Sequence, residues 1–146
     1  MAYDYKQFRY LITRVLQEFN LYSKAAVNLL LGTAAQESGF GTYLRQIGGG
    51  PALGAFQMEP ATFSWLALRF KDEYPEFAER HARELEWDLR LAIIFARLKY
   101  KSIPEPLPEH WDIGGLAFYW KRFYNTYKGS GTEDHFIAAY NQYVKE

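Results

Sequence analysis

The chain contains no cysteine, which removes disulfides, thiolate metal ligands and thiol nucleophiles together and leaves the redox compartment open. Net charge is missing as well, because 17 Lys and Arg balance 17 Asp and Glu. Such a chain has no basic footprint for a phosphate backbone, and nucleic acid is not an expected partner. Long hydrophobic runs are absent too. The most apolar window, Ala25 to Ala35, is interrupted by Asn28 and is far shorter than the ~20 residues of a spanning helix, so no stable membrane insertion is expected. The opening stretch MAYDYKQFRYLITRVLQEFN carries Asp4 early and spaces its apolar residues periodically. It does not read as a secretory signal, and export would use another route.

Several chemistries lack their residues. His81, His110 and His135 are widely separated, and none stands four residues from another ligand type, so no metal or other cofactor is expected. The stretch GGGPALG lacks the lysine and hydroxyl residue of a phosphate-binding loop. There is no G-x-S-x-G elbow, and Ser64 stands in an amphipathic segment. Glu84, Glu86 and Asp88 alternate with basic residues, which is the pattern of an ion-paired, solvated helix face.

What the chain does have is aromatic residues, 18% of the total, with 12 Tyr and 4 Trp among its 146 residues. Part of these must form core, while tyrosines also line sugar or peptide clefts. The length suits one domain, 1–146. Phe8, Leu11, Ile12, Val15, Leu16 and Phe19 recur at helical spacing and predict a first helix over roughly 4–19. Ser23 is a candidate N-cap for a second helix, and Gly39 a left-handed C-terminal residue. From Gly39 to Pro60 the chain is glycine-rich, a loop or small irregular β-hairpin. Pro60 opens a short helix with Phe63, Leu66 and Phe70 on one side.

Beyond Pro75, Trp87, Leu91, Ile94, Phe95 and Leu98 form the stripe of an expected central buried helix. SIPEPLPEHW reads as a stiff connector. Asp112 caps a helix with Leu116, Tyr119, Trp120 and Phe123 on one face; KGSG breaks the chain, and Thr132 opens a last helix with Phe136, Tyr140 and Tyr143. The fold class is therefore mostly α, with one irregular glycine-rich excursion.

Glu37 closes the second helix. Its place at the negative end of the helix dipole, among Ala34, Ala35 and Phe40, raises its proton affinity and favours a proton donor near neutral pH. An ordinary solvated glutamate is the plain alternative. Gly48, Gly49, Gly50 and Gly54 allow close approach of backbone to a ligand, with Phe56 a stacking and Gln57 an amide contact; a flexible surface loop is the competing reading.

Three motifs in order, Glu37-Ser38, then GAFQMEPAT at 54–62, then Tyr124-Asn125 before a glycine turn, resemble the soluble lytic transglycosylase family of the lysozyme superfamily. The second is the most specific, being similar to that family's G-L-M-Q-[IV]-x-P-x-T. The third departs from the family's A-Y-N-A-G, with Phe123 before the tyrosine and extra residues before Gly129; Tyr119 and Tyr140 compete with Tyr124 for its role. The resemblance runs from about Ala25 to beyond Gly131. YWKRFYNT and GSGT look like stretches of phage-encoded members.

The resemblance implies a lysozyme-like domain acting on peptidoglycan glycan strands at the β-1,4 bond between N-acetylmuramic acid and N-acetylglucosamine. Glu37 would be the general acid and then the base that takes the muramyl C6 hydroxyl proton, giving a 1,6-anhydro product without a second carboxylate. Ser38 would support Glu37 or the sugar, Gly54, Phe56 and Gln57 would form the cleft floor, Tyr124 would hydrogen-bond the acid, and Asn125 would contact substrate. Glu59, beside Gln57, is the candidate second carboxylate of a hydrolytic lysozyme, whose carboxyl pairs stand roughly 5 to 9.5 Å apart. A glycan-binding virion component without turnover and a helical protein-interaction domain are the remaining alternatives. An enzyme of this kind without a signal peptide would reach the wall through a holin-type pore or as part of a phage particle.

Overall fold

The computed structural model describes residues 1–125 and 130–145. Six α-helices occur among them: α1 (Tyr5–Glu18), α2 (Lys24–Ser38), α3 (Pro60–Arg69), α4 (Leu89–Lys101), α5 (Ile113–Trp120) and α6 (Glu133–Tyr143). The molecule is mostly α, and among the described residues strand pairing is limited to two isolated antiparallel bridges, Arg45 with Leu53 and Leu53 with Met58.

Local chemistry sets most of the helix starts. The side chains of Asp4, Ser23, Asp88, Asp112 and Thr132 each accept a hydrogen bond from a backbone N–H of the first turn, satisfying donors that no helical carbonyl can reach. Pro60 occupies the first turn of α3, where its missing N–H costs nothing. Gly39 ends α2 with φ 57° and ψ 48°, a left-handed cap that turns the chain out of the helix at little steric cost. Of the expected KGSG break, Lys128 and Gly129 lie outside the described residues, and Gly131 leads directly into Thr132.

The centre of the molecule differs from the periodicity-based expectation. Every residue from Ala26 to Ala35 is buried, so α2 shares the centre with α4 and packs on α1, α4, α5 and α6. Two buried polar residues of α2 are satisfied across the core. Asn28 accepts from Arg9 and donates to the His110 carbonyl, both at 2.9 Å, and the Thr33 and Tyr100 hydroxyls pair at 2.8 Å. Burial without those partners would cost about 1–3 kcal/mol for each group.

The single long helix expected after Pro75 is broken into two short 3₁₀ helices, Pro75–Phe77 and Ala82–Glu86, ahead of α4. Trp87 is 65% exposed and belongs to no apolar stripe. Asp88 caps α4 at Leu91, and Arg80 is paired with both Glu84 and Asp88. The polar residues that break the helix are thus occupied in holding its replacement. The remainder of the expected stripe, Leu91, Ile94, Phe95 and Leu98, is buried in α4, where Phe95 stacks on Phe63 of α3 at 4.2 Å.

Beyond Trp120, α5 widens into a π-helical turn, Lys121–Asn125. Leu116, Tyr119 and Trp120 are buried as expected, while Phe123, inside the wider turn, is only half-buried and packs edge-on to Tyr119.

Candidate active site

A cleft of about 790 Å³ opens beside the C-terminal end of α2, between the glycine-rich segment on one side and α4 and the π turn on the other. Glu37, Gln57, Glu59, Lys99, Tyr124 and Asn125 all line it. Five residues singled out from sequence therefore meet: Glu37, Gln57, Tyr124 and Asn125, with Glu59, the alternative second carboxylate. The glycine-rich loop returns Gln57 to the end of α2, and the π turn after α5 brings in Tyr124 and Asn125.

Glu37 is fixed from the side of α5. The Trp120 indole N–H donates to its Oε2 at 2.9 Å. Trp120 is completely buried and tilted against Phe136 of α6 at 5.4 Å, so the donor has no freedom to turn away. Burial pushes the Glu37 pKa up to about 7, against the opposing pull of the Trp120 hydrogen bond, Lys99, Asn125 and Lys121. A carboxyl of this kind is about half protonated at neutral pH, which matches the requirement for a general acid. Lys121 donates to Asn125 Oδ1 at 2.8 Å, which orients the Asn125 amide within the π turn.

Ser38, Gly54 and Phe56 do not line the cleft but shape it from below. The Ser38 hydroxyl is buried, donates to the Ala55 carbonyl at 2.5 Å and accepts from Gly41 N–H at 2.8 Å. It pins the end of α2 to the far arm of the loop, and it does so too deep to meet a sugar. Gly54 has φ 82°, and a Cβ there would lie 2.4 Å from the Leu85 carbonyl oxygen. Phe56 is 1% exposed and packs toward Phe8 at 6.2 Å, so its ring is core and offers a ligand no stacking face. Gln57 is the residue of this motif that reaches the cleft; it adopts φ 49°, and both its backbone N–H and its Nε2 donate to the Gly54 carbonyl at 3.0 Å.

Tyr124 has a different partner from the one expected. Its hydroxyl donates to the Phe56 carbonyl at 2.6 Å, and its ring stacks on Tyr100 at 5.3 Å. The indole of Trp120 takes the acid instead. Tyr119 turns away to donate to the Glu105 carbonyl at 2.8 Å, and Tyr140 stacks on Phe136. Tyr124 therefore braces the loop that carries Gln57. Tyr124→Phe is expected to lower stability by about 1–2 kcal/mol in urea unfolding, by orphaning a buried carbonyl, and to leave the titration of Glu37 unmoved; a displaced titration would restore it as the partner of Glu37.

Lys99, absent from the sequence-based set, brings a cationic side chain to the cleft wall beside Glu37 and Glu59. It donates to the Tyr124 carbonyl at 3.1 Å and sits over the Tyr124 ring at 4.4 Å. Burial lowers its pKa, and the charges of Glu37 and Glu59 oppose that shift. A lysine flanked by Leu98 and Tyr100 in a buried helix is the signal that marks it, because a charge is carried into such a position only beside partners. Trp120 had a comparable signal: a buried indole N–H needs an acceptor. Among the described residues, no group of three or more His, Cys, Asp or Glu side chains comes together to hold a metal ion, and no helix is long and apolar enough to cross a membrane.

Comparison of the chain with protein-family models, with curated proteins and with solved structures gives no match.

Proposed function

We propose that this chain is a peptidoglycan-cleaving enzyme of the lytic transglycosylase type, with a lysozyme-like arrangement of its helices around the Glu37 cleft. The observation that carries the reading is a partly buried glutamic acid, pKa about 7, held by an indole N–H at the wall of a cleft that is large enough for a glycan. The similarity of Glu37-Ser38 and residues 54–62 to the family's motifs supports it.

In this reaction Glu37 gives its proton to the glycosidic oxygen as the bond from that oxygen to the muramyl C1 breaks. The Trp120 N–H and the nearby Lys99 and Lys121 charges then stabilise the carboxylate left behind. The same carboxylate removes the proton from the C6 hydroxyl, whose oxygen bonds to C1. The proton is back on Glu37, no water has been consumed, and the product carries a 1,6-anhydro ring. Gln57 and Asn125, on opposite walls, hold the sugars that flank the bond.

A second reading is favoured by one observation: Glu59 lines the same cleft as Glu37. Were it to activate water, the enzyme would be a hydrolytic muramidase. Mass spectrometry of digested, purified cell walls separates the two. The expected product is anhydromuropeptide, one water lighter than the hydrolysed form, with a rate that falls as pH rises through about 7 and the acid loses its proton. Reducing muramyl ends would transfer the assignment to hydrolysis, and no cleavage by intact protein would overturn both. Delivery through a holin-type pore or within a phage particle is part of the proposal; lysis of cells expressing the protein only when a pore-former is co-expressed would support the former.

A further inference from the structure

A second cavity, of about 360 Å³, lies between the outer face of α3 and the C-terminal end of α4. Ala61, Thr62 and Trp65 form one wall, and Lys99, Ser102 and Ile103 the other. Thr62 and Lys99 also line the Glu37 cleft, so the two cavities meet at a common wall. None of the transglycosylase-like motifs includes Trp65.

The side chains are arranged for an amphipathic disc. Phe63 points inward and stacks on Phe95 at 4.2 Å, locking α3 to α4; Trp65, two residues on, is turned outward and is 52% exposed. Thr62, Trp65 and Arg69 follow one another at helical spacings of three and four, which places them on one face. The Arg69 guanidinium sits over the Trp65 ring at 5.6 Å and limits how far the indole can swing, so the platform is pre-formed. Ser102 Oγ donates to the Lys99 carbonyl at 2.6 Å, leaving its lone pairs to accept from a ligand.

We propose that this cavity is a sugar subsite in which the exposed face of Trp65 stacks on an N-acetylhexosamine ring of the strand held in the Glu37 cleft. A β-linked pyranose has equatorial hydroxyls around its rim and axial C–H groups on its faces. The indole face is the negative pole of its quadrupole and attracts those polarised C–H groups. The rim hydroxyls fall to Thr62 and Ser102, and Lys99 marks the passage from one cavity to the other. The subsite lengthens the strand the enzyme grips, so it sets a preference for longer glycans. The inference rests on the glycan reading of the main cleft, and its test distinguishes the two failures.

The test titrates β-1,4-linked N-acetylglucosamine oligomers of two to six sugars into Glu37→Gln protein, with and without Trp65→Ala, by calorimetry and by the indole N–H resonances in NMR. Trp65 is exposed, so its removal leaves the core intact. The expected result is that affinity rises with oligomer length, that Trp65→Ala costs the longest oligomers at least tenfold and the disaccharide nothing, and that the Trp65 resonance moves only with the longer ones. An equal length dependence in both proteins, no oligomer binding at all, or a Trp65 resonance that moves with a free stem peptide and not with sugar would each overturn the subsite. Wild-type protein that binds oligomers through Trp65 but releases no muropeptide would overturn the catalytic reading and leave the subsite standing.

Discussion

Glu37→Gln is expected to abolish the proposed muropeptide release and, in the same protein, to make the fold more stable above neutral pH. The expected activity loss is on the order of 10³ or more, since a positioned acid contributes about 10²–10⁴ and the proposed reaction uses this side chain in both half-reactions. The stability gain follows from proton linkage. The folded pKa is about 7 against an ordinary glutamate value of about 4.5, so the folded state holds this proton more tightly than the unfolded state does. Below 4.5 both states are protonated and Glu37 costs nothing. Between 4.5 and 7 the unfolded chain ionises first and stability falls as pH rises. Above 7 the full penalty is present, about 3 kcal/mol.

Glutamine has nearly the same shape, keeps an oxygen for the Trp120 N–H, and has no charge to desolvate. Urea unfolding of both proteins at pH 4 and pH 8 should therefore give equal stabilities at the lower pH and a more stable variant, by about 2–3 kcal/mol, at the higher. A difference that is the same at both pH values would mean that Glu37 ionises freely, and the acid of the proposed reaction would have to be sought elsewhere.

Gly54→Ala should destabilise the protein by about 3 kcal/mol, combining left-handed backbone strain of about 1–2 kcal/mol with a collision of the same order. The residue has φ 82°, and the atom its Cβ would strike is the backbone oxygen of Leu85, 2.4 Å away. That oxygen belongs to the 3₁₀ helix Ala82–Glu86 and has no flexible end to move aside. Relief must come from the loop, which is held by the Leu53 and Met58 backbone pair and by Ser38. Gln57, hydrogen-bonded through both nitrogens to the Gly54 carbonyl, would be displaced with it. Thermal or urea unfolding reads the effect. Unchanged stability with a raised KM would instead place Gly54 against the substrate.

The parts of the fold that local chemistry decides were legible in the sequence. Ser23, Asp112 and Thr132 at helix starts, Pro60 in a first turn and Gly39 in a left-handed cap depend on the few residues around them. Glu37 could be singled out for the same reason: its position at a helix end is local. What a side chain touches across the molecule was not legible. The Trp120 indole and the Tyr124 hydroxyl are both donors four residues apart, and only the packing of α5 and the π turn against α2 and the loop sends one to Glu37 and the other to Phe56. Phe56 and Gln57 are neighbours, yet the first is core and the second faces the cleft. Trp87 shares the spacing of a buried stripe and lies outside it, because Asp88 starts the helix one residue later.

The π turn at Lys121–Asn125 carries a consequence for how the two halves of the acid's surroundings are placed. Such a turn consumes one residue more than an α-turn and so rotates everything after it by roughly 100° relative to everything before it. Trp120 answers to the helical wheel of α5 and Asn125 to a second, offset wheel, and that offset lets both face the carboxyl of Glu37. Spacing is therefore what this segment must preserve. Exchange of the exposed Arg122 for another side chain leaves both wheels in register, whereas the gain of one further residue there would carry the Asn125 amide around the helix and away from the acid.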